Sequence, residues 1–387
     1  MIVSMCAGWG QAKDGIADYS GHLAEELARA GFDVRRTALG NYIGDTAYYK
    51  KAALEASGAD VCHVQFNYPY FNGELPYRNR FAGFVKEVKP PVVMTAHEVR
   101  VGFGPGMSGF SSGMMKAVFE GTIPIWNALS AAMHKKMYAA PEKIIVHTDE
   151  HARTIRKLAA DPDKVVLIPH GVPVVSAAVT ETSKPQAKKK LGVEARRVVT
   201  IFGFINPRKG HAAALDALAG LPKDVVLLIA GGKMSEDGAC AEYYETLKKK
   251  ISENNLEGRV IITGYVGEKD IPDIMAASDL CLAPFESTAA SGALGLCIGY
   301  HKPVIASDAP VHREINQRVA CLELFKSADS ADLGRKIAGL FANRHRMAEL
   351  SEKARVYAGE YGYPNIAKRT AEIYRDALAR GRAGGRL

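Results

Sequence analysis

Pro284-Phe-Glu-Ser-Thr-Ala-Ala-Ser-Gly-Ala-Leu-Gly-Leu-Cys-Ile-Gly-Tyr-His-Lys-Pro-Val-Ile-Ala-Ser307 reads as a strand end, a small-residue turn, a buried helix and a second strand from Pro303. The turn Ala289-Ala290-Ser291-Gly292 carries no bulky side chain, so backbone N–H groups stay uncovered where the helix begins. Free donors and the positive end of the helix dipole coincide there, which makes an anion site. Upstream, Gly203-Phe-Ile-Asn-Pro-Arg-Lys-Gly210 places Arg208 and Lys209 on the turn after another apolar strand. A phosphate-bearing ligand held between these cations and the 291–293 turn accounts for both stretches.

Working outward, two halves of the chain repeat one grammar. In the first, strands are expected at 2–6, 61–66, 91–95, 143–147 and 165–169. A helix over 16–30, with Ile16, Tyr19, Leu23 and Leu27 at helical spacing, is closed by Gly31. The second half gives strands at 198–204, 225–230, 260–263, 280–284 and 303–307 with helices between them. Strands alternating with helices predict an α/β protein of two Rossmann-like parallel-sheet domains. The polar run 176–185 is the linker, so the domains are expected at 1–180 and 190–363. An amphipathic helix over 364–380 is expected to pack back on either domain. Ligands bind beyond the carboxyl ends of parallel strands, which predicts one site in a cleft between the domains.

Composition narrows the class. The chain has 387 residues, 47% hydrophobic and 24% charged, which fits folded domains and excludes extended disorder. The net charge is +8, yet residues 1–175 hold 19 Lys and Arg against 17 Asp and Glu. The basic excess therefore lies in the C-terminal half and tail, with no stripe suited to nucleic acid. Six cysteines without C-x-x-C spacing read as buried free thiols in a reducing compartment. Met1-Ile-Val-Ser-Met-Cys6 lacks a basic leader and reads as a first strand, so a cytoplasmic location is expected. Residues 101–126, glycine-rich then apolar, read equally as an acceptor-side loop, a patch contacting the inner face of a membrane, or a segment packed on the core.

The candidate site residues follow from strand ends. Arg208 and Lys209 neutralise a diphosphate and stabilise it as it leaves. Ser291, Gly292 and Ala293 offer backbone donors. Glu286 directs a carboxylate at sugar hydroxyls or is an ordinary surface acid. Gly15 opens a helix where a substrate approaches the backbone, and His97 ends a strand at the cleft face. His170 is assigned to shaping the crossover between domains. Asp161-Pro-Asp163 is a surface turn and no metal site, and Gly8-Trp-Gly10 is too short for a dinucleotide fingerprint.

Taken in order, Gly15-Ile-Ala-Asp-Tyr19, His63-Val-Gln65, Thr95-Ala-His97, Ile168-Pro-His-Gly171, Gly203 with Lys209-Gly210, and Ser291-Gly292 through Lys302-Pro-Val-Ile305 resemble the retaining GT-B glycosyltransferases of family four, the glycosyl transferases group 1. The resemblance spans essentially the whole chain. It implies a UDP- or GDP-linked sugar donor as substrate, no metal and no other cofactor, and retention at the anomeric carbon. The acceptor it implies is a glycan, a lipid-linked sugar or a small molecule. By the same likeness Arg208 and Lys209 contact the diphosphate, with Gly203 beside them. The N–H groups of Ser291 to Ala293 contact its distal phosphate, beside Gly15 and Ile16. His97 touches the transferring sugar or acceptor, and the region of Glu286 and Thr288 holds the donor. Many members carry two glutamates with seven residues between them where this chain has Thr288 and Leu296. Phe204 stands where many have arginine, and His301 where glycine precedes Lys-Pro. Two rival readings are a sugar-nucleotide epimerase or hydrolase on this scaffold and a catalytically silent sugar-nucleotide binder.

Overall fold

The computed structural model describes residues 1–11, 14–75, 77–100, 102, 121–175, 184–233, 238–285 and 290–383, without the side chains of 382 and 383. Glu286, Thr288, most of the 101–126 run and most of the 176–185 linker lie outside the described residues. The chain forms two units. One comprises Met1–Pro169 with Pro364–Leu387, the other His170–Tyr363.

The first unit is a six-stranded sheet in the order β2-β1-β3-β4-β5-β6. Its strands are β1 (Ile2–Ala7), β2 (Asp33–Ala38), β3 (Val61–Phe66), β4 (Val92–Ala96), β5 (Lys143–Val146) and β6 (Val165–Leu167), all paired in parallel. Helices α1 (Gly15–Arg29), α2 (Thr46–Ala56), α3 (Phe81–Glu87), α4 (Ile123–Ala139) and α5 (Asp149–Leu158) carry the crossovers. Every residue of β3 and β4 is buried, as a sheet covered on both faces requires. One core face packs Phe66, Phe71, Phe81 and Phe84 around Met94 and Tyr138.

The second unit contains α6 (Lys184–Lys190) and a sheet ordered β12-β11-β10-β7-β8-β9. Its strands are β7 (Arg197–Phe202), β8 (Val225–Ala230), β9 (Val260–Ile262), β10 (Leu280–Ala283), β11 (Val304–Ser307) and β12 (Leu322–Phe325). Between and after them run α7 (His211–Ala219), α8 (Ala239–Glu253), α9 (Ile271–Ala277), α10 (Gly292–Gly299), α11 (Pro310–Arg318), α12 (Ser330–Ala342) and α13 (Arg344–Tyr361). Counted within the unit this is the 3-2-1-4-5-6 order of the doubly wound fold, which reverses direction between β7 and β10. The last helix, α14 (Tyr363–Ala383), is grouped with the first unit, where Arg380 meets Asp161 at 2.6 Å and Tyr374 is buried.

Two strands escape the sequence reading, β2 and β12, and each lies at the edge of its sheet. In β2 Asp33, Arg35 and Arg36 break the apolar run, and such charges keep an edge from pairing with other chains. All six cysteines are free, five of them buried. Among the described residues no helix is long and apolar enough to cross a membrane.

Candidate functional site

In doubly wound sheets ligands bind at the strand ends beside such a reversal, and both segments singled out by sequence follow the strands that meet there, β7 and β10. Beyond β7 the chain turns through a 3₁₀ segment Pro207–Lys209, capped by Asn206, whose side chain accepts from the Arg208 N–H at 3.1 Å. Gly210 then takes φ 69°, and a Cβ there would overlap the Pro284 carbonyl. The glycine therefore lets the loop after β7 close directly on the end of β10. Gly203 has φ 107°, and its missing Cβ would sit 3.4 Å from Ala293 and 3.9 Å from Lys209 Nζ.

This packing separates the two cations. Arg208 is exposed, whereas Lys209 is half-buried and turned toward β10. Lys209 Nζ lies 3.8 Å from the centre of the Phe285 ring and donates to Ser291 Oγ at 3.4 Å. Burial is the main reason its pKa falls to about 8, with the Arg208 charge adding to the fall. The ring face offers only weak compensation for lost water. Two neutral imidazoles flank the ammonium. His211 is fully buried and its pKa is held down to about 4, first by burial and then by Lys209. His312 is likewise lowered to about 4, chiefly by burial, and its Nδ1 lies 2.9 Å from the Ser307 carbonyl.

Ser291 caps α10. Its hydroxyl accepts from the Leu294 N–H at 3.4 Å, and its carbonyl accepts from the Gly295 N–H at 2.9 Å. The N–H groups of Gly292 and Ala293 bond to no described residue and remain donors at the helix start. Lys209, Gly203, Ser291, Gly292 and Ala293 thus converge. The rest of α10 is apolar core, including Leu296, packed among Ile298, Tyr357 and Tyr361. Phe204 stacks on Tyr265 with ring centres 6.1 Å apart. His301 has φ 53°, which explains why glycine suits that position.

The first unit brings together a different set. Asp14 caps α1, its Oδ1 accepting from the N–H groups of Ile16 at 2.9 Å and Ala17 at 3.2 Å. Its other oxygen accepts from the Tyr70 hydroxyl. Gly15 is exposed with open space around it, while Ile16 packs on the core. His97, half-buried just past β4, holds Gln65 Oε1 at 2.8 Å from Nε2 and packs edge-on against Tyr19, ring centres 4.9 Å apart. Beneath them His63 is fully buried, 2.7 Å from both the Tyr374 hydroxyl and Thr95 Oγ1. Burial lowers the His63 pKa to about 3, so this imidazole is neutral. Sequence reading quotes His63 and Gln65 only as motif residues, and Tyr374 left no local signal, lying 311 positions from His63.

His170 Nδ1 pairs with the Gly171 carbonyl at 2.8 Å, beside the Val172–Gly362 bridge. Asp161 caps its own turn and pairs with Arg380. No group of three or more metal-ligating side chains occurs among the described residues.

A parallel sheet of this order is an α/β fold of Rossmann type, and a cation and helix-start donors stand at its reversal, the geometry of an anion site. Residues 183–357 match the family described as glycosyl transferases group 1. That segment, a little under half of the chain, is similar to this family, and the fold is GT-B. It is 26% identical over 205 residues to an alpha-D-kanosaminyltransferase of Streptomyces kanamyceticus, covering 51% of this chain and 50% of that protein. It is 23% identical over 244 residues to D-inositol 3-phosphate glycosyltransferase 2 of Catenulispora acidiphila, covering 61% and 56%. These alignments therefore span about half the length of either relative. Among solved structures, Anabaena Alr3699/HepE in complex with UDP and glucose superposes with a TM-score of 0.74 at 17% identity, over 96% of this chain and 98% of that one.

Proposed function

We propose that the protein is a retaining, metal-independent glycosyltransferase that moves a sugar from a UDP- or GDP-linked donor to a hydroxyl of a saccharide, lipid-linked or small-molecule acceptor. The observation that carries this reading is Lys209 Nζ, pulled out of water beside Phe285 and the donors at the start of α10. An ammonium with so little solvation gains strongly from a diphosphate, because the partner replaces lost water. The similarity to the group 1 glycosyl transferases, and to a relative of Escherichia coli whose name includes UDP-Gal, supports a nucleotide-sugar donor.

In this scheme the acceptor oxygen attacks the anomeric carbon as the bond to the diphosphate oxygen breaks. The electron pair leaves with the diphosphate, and the acceptor proton passes to a departing phosphate oxygen on the same face, which retains configuration. Lys209 and the N–H groups of Gly292 and Ala293 stabilise the charge that develops on the leaving group. Arg208, exposed, adds longer-range attraction. His97 positions the transferring sugar or acceptor. UDP-glucose, UDP-galactose and GDP-mannose, each incubated with a panel of acceptors and chelator, test this by release of nucleotide. Turnover of one donor is expected. Binding of nucleotide sugars without release under any condition would favour the silent binder, a rival motivated by Thr288 and Leu296.

A further inference from the structure

A parallel sheet covered on both faces is normally apolar on both, and β3 departs from this on one side. Cys62, Val64 and Phe66 belong to the aromatic core of one face. His63 and Gln65, the alternate residues, share the other face and are fully buried. The register of β3 and β4 sets Gln65 beside Thr95, and His97 follows two residues on. A line of polar side chains therefore runs from the middle of β3 to the half-buried imidazole just past β4. Buried polar groups are tolerated when hydrogen-bonded, and His63, Gln65, Thr95 and His97 bond to one another.

The line has a direction. His63 is neutral, so its ring carries one N–H and one bare nitrogen. Gln65 Nε2, which can only donate, stands 3.2 Å from His63 Nε2, and Thr95 Oγ1 lies 2.7 Å from the same nitrogen. That nitrogen is the bare one. The proton then sits on Nδ1, directed at the Tyr374 oxygen 2.7 Å away. With its NH₂ group facing His63, the Gln65 amide presents its carbonyl oxygen to His97, 2.8 Å from Nε2. A carbonyl accepts and cannot donate, so His97 Nε2 carries a proton. A neutral imidazole protonated there keeps its lone pair on Nδ1. The ring is also held in place. Tyr19 packs edge-on against it, and His147 lies 5.0 Å away between ring centres, itself tied through Nδ1 to the Ile168 carbonyl at 2.9 Å.

We infer that Gln65 is a positioning residue for His97: turned by His63, its amide keeps the proton on Nε2, so that Nδ1 accepts a hydrogen bond from a hydroxyl of the bound sugar or acceptor. The inference rests on the proposed function for the task of His97 and adds the chemistry of what it meets. A hydroxyl brings a hydrogen to Nδ1. A carboxylate or phosphate oxygen would set one lone pair against another.

Long-range ¹H–¹⁵N NMR on protein carrying ¹⁵N-histidine reads the tautomer directly, with His97→Ala to assign the signal. The ligand-free wild type is expected to hold the His97 proton on Nε2. Gln65→Met, close in shape and without the amide, is expected to change the tautomer ratio and to lower kcat/KM up to roughly tenfold. UDP affinity by calorimetry should stay within about twofold, since Gln65 does not touch the diphosphate site of the other unit. Gln65→Glu keeps an oxygen facing Nε2 and should keep that nitrogen protonated. A wild-type proton on Nδ1 overturns the inference, and this spectrum decides even where a variant does not fold. Loss of kcat/KM in Gln65→Met with the tautomer unchanged also overturns it, because the loss then comes from packing alone. An Nε2 proton in a protein that transfers no sugar would overturn the proposed function, and with it the task given to Nδ1.

Discussion

The two sheets end in opposite chemistry. Beyond β7 and β10 the second unit offers one poorly solvated cation, an aromatic ring and bare helix-start donors. Beyond β1, β3 and β4 the first unit offers a helix-capping carboxylate, with imidazole, amide and tyrosine side chains that bond to one another. On the proposed reading, anion affinity belongs to one unit, and its source is the desolvation of a single ammonium rather than the overall count of basic residues. The exposed Arg208 and the half-buried Lys209 make the same point within two positions of the chain.

Exchanges matched between the units sharpen this contrast. Gly210→Ala is expected to have the largest effect, because it combines φ 69° with overlap on the Pro284 carbonyl. A loss of about 2–4 kcal/mol in denaturant unfolding is expected, and an unchanged midpoint would break the account of how β7 meets β10. Lys209→Ala comes next, with nucleotide-diphosphate affinity weaker by about 1.5–3 kcal/mol and the melting temperature of the free protein level or higher, because a poorly solvated ammonium is removed. Calorimetry with UDP and GDP measures it. In the other unit, His97→Ala is expected to lower kcat/KM roughly tenfold, about 1.4 kcal/mol. Its UDP affinity should match wild type, and an equal loss in UDP binding would remove the division of labour. The smallest effect is expected from Gly15→Ala, where a Cβ meets open space. Stability should stay level or rise by about 0.5 kcal/mol, in contrast to its counterpart at 210.

Much of the fold is legible in the sequence. Interior strands such as Val225–Ala230 are unbroken apolar runs, and they were legible because both faces are buried. The edge strands β2 and β12 were not: Asp33, Arg35 and Arg36 erase the apolar signal of β2, and β12 is four residues long with Glu323 inside it. The approach of Lys209 to Ser291 was foreseeable from two strand ends that neighbour in a doubly wound sheet. Which of two adjacent cations would turn inward was not. That depends on Gly210 fitting against Pro284, a contact between residues far apart in sequence. The same holds for His63, whose partner Tyr374 arrives from the last helix.

The central claim is that the charge on Lys209 grips the diphosphate, and the pH dependence of UDP affinity addresses it most directly. A lysine whose folded pKa is lowered to about 8 carries its proton below that value and loses it as pH rises through it. Affinity for UDP should therefore be level from pH 7 toward 8 and then fall by up to about tenfold per pH unit until the proton taken up on binding is lost as well. In the absence of nucleotide, stability should rise with pH from about 8 toward the ordinary lysine value, because the unfolded chain holds that proton longer. Lys209→Ala should flatten both profiles. A wild-type affinity that stays level beyond pH 9, or an alanine variant that keeps the same fall, would contradict the account.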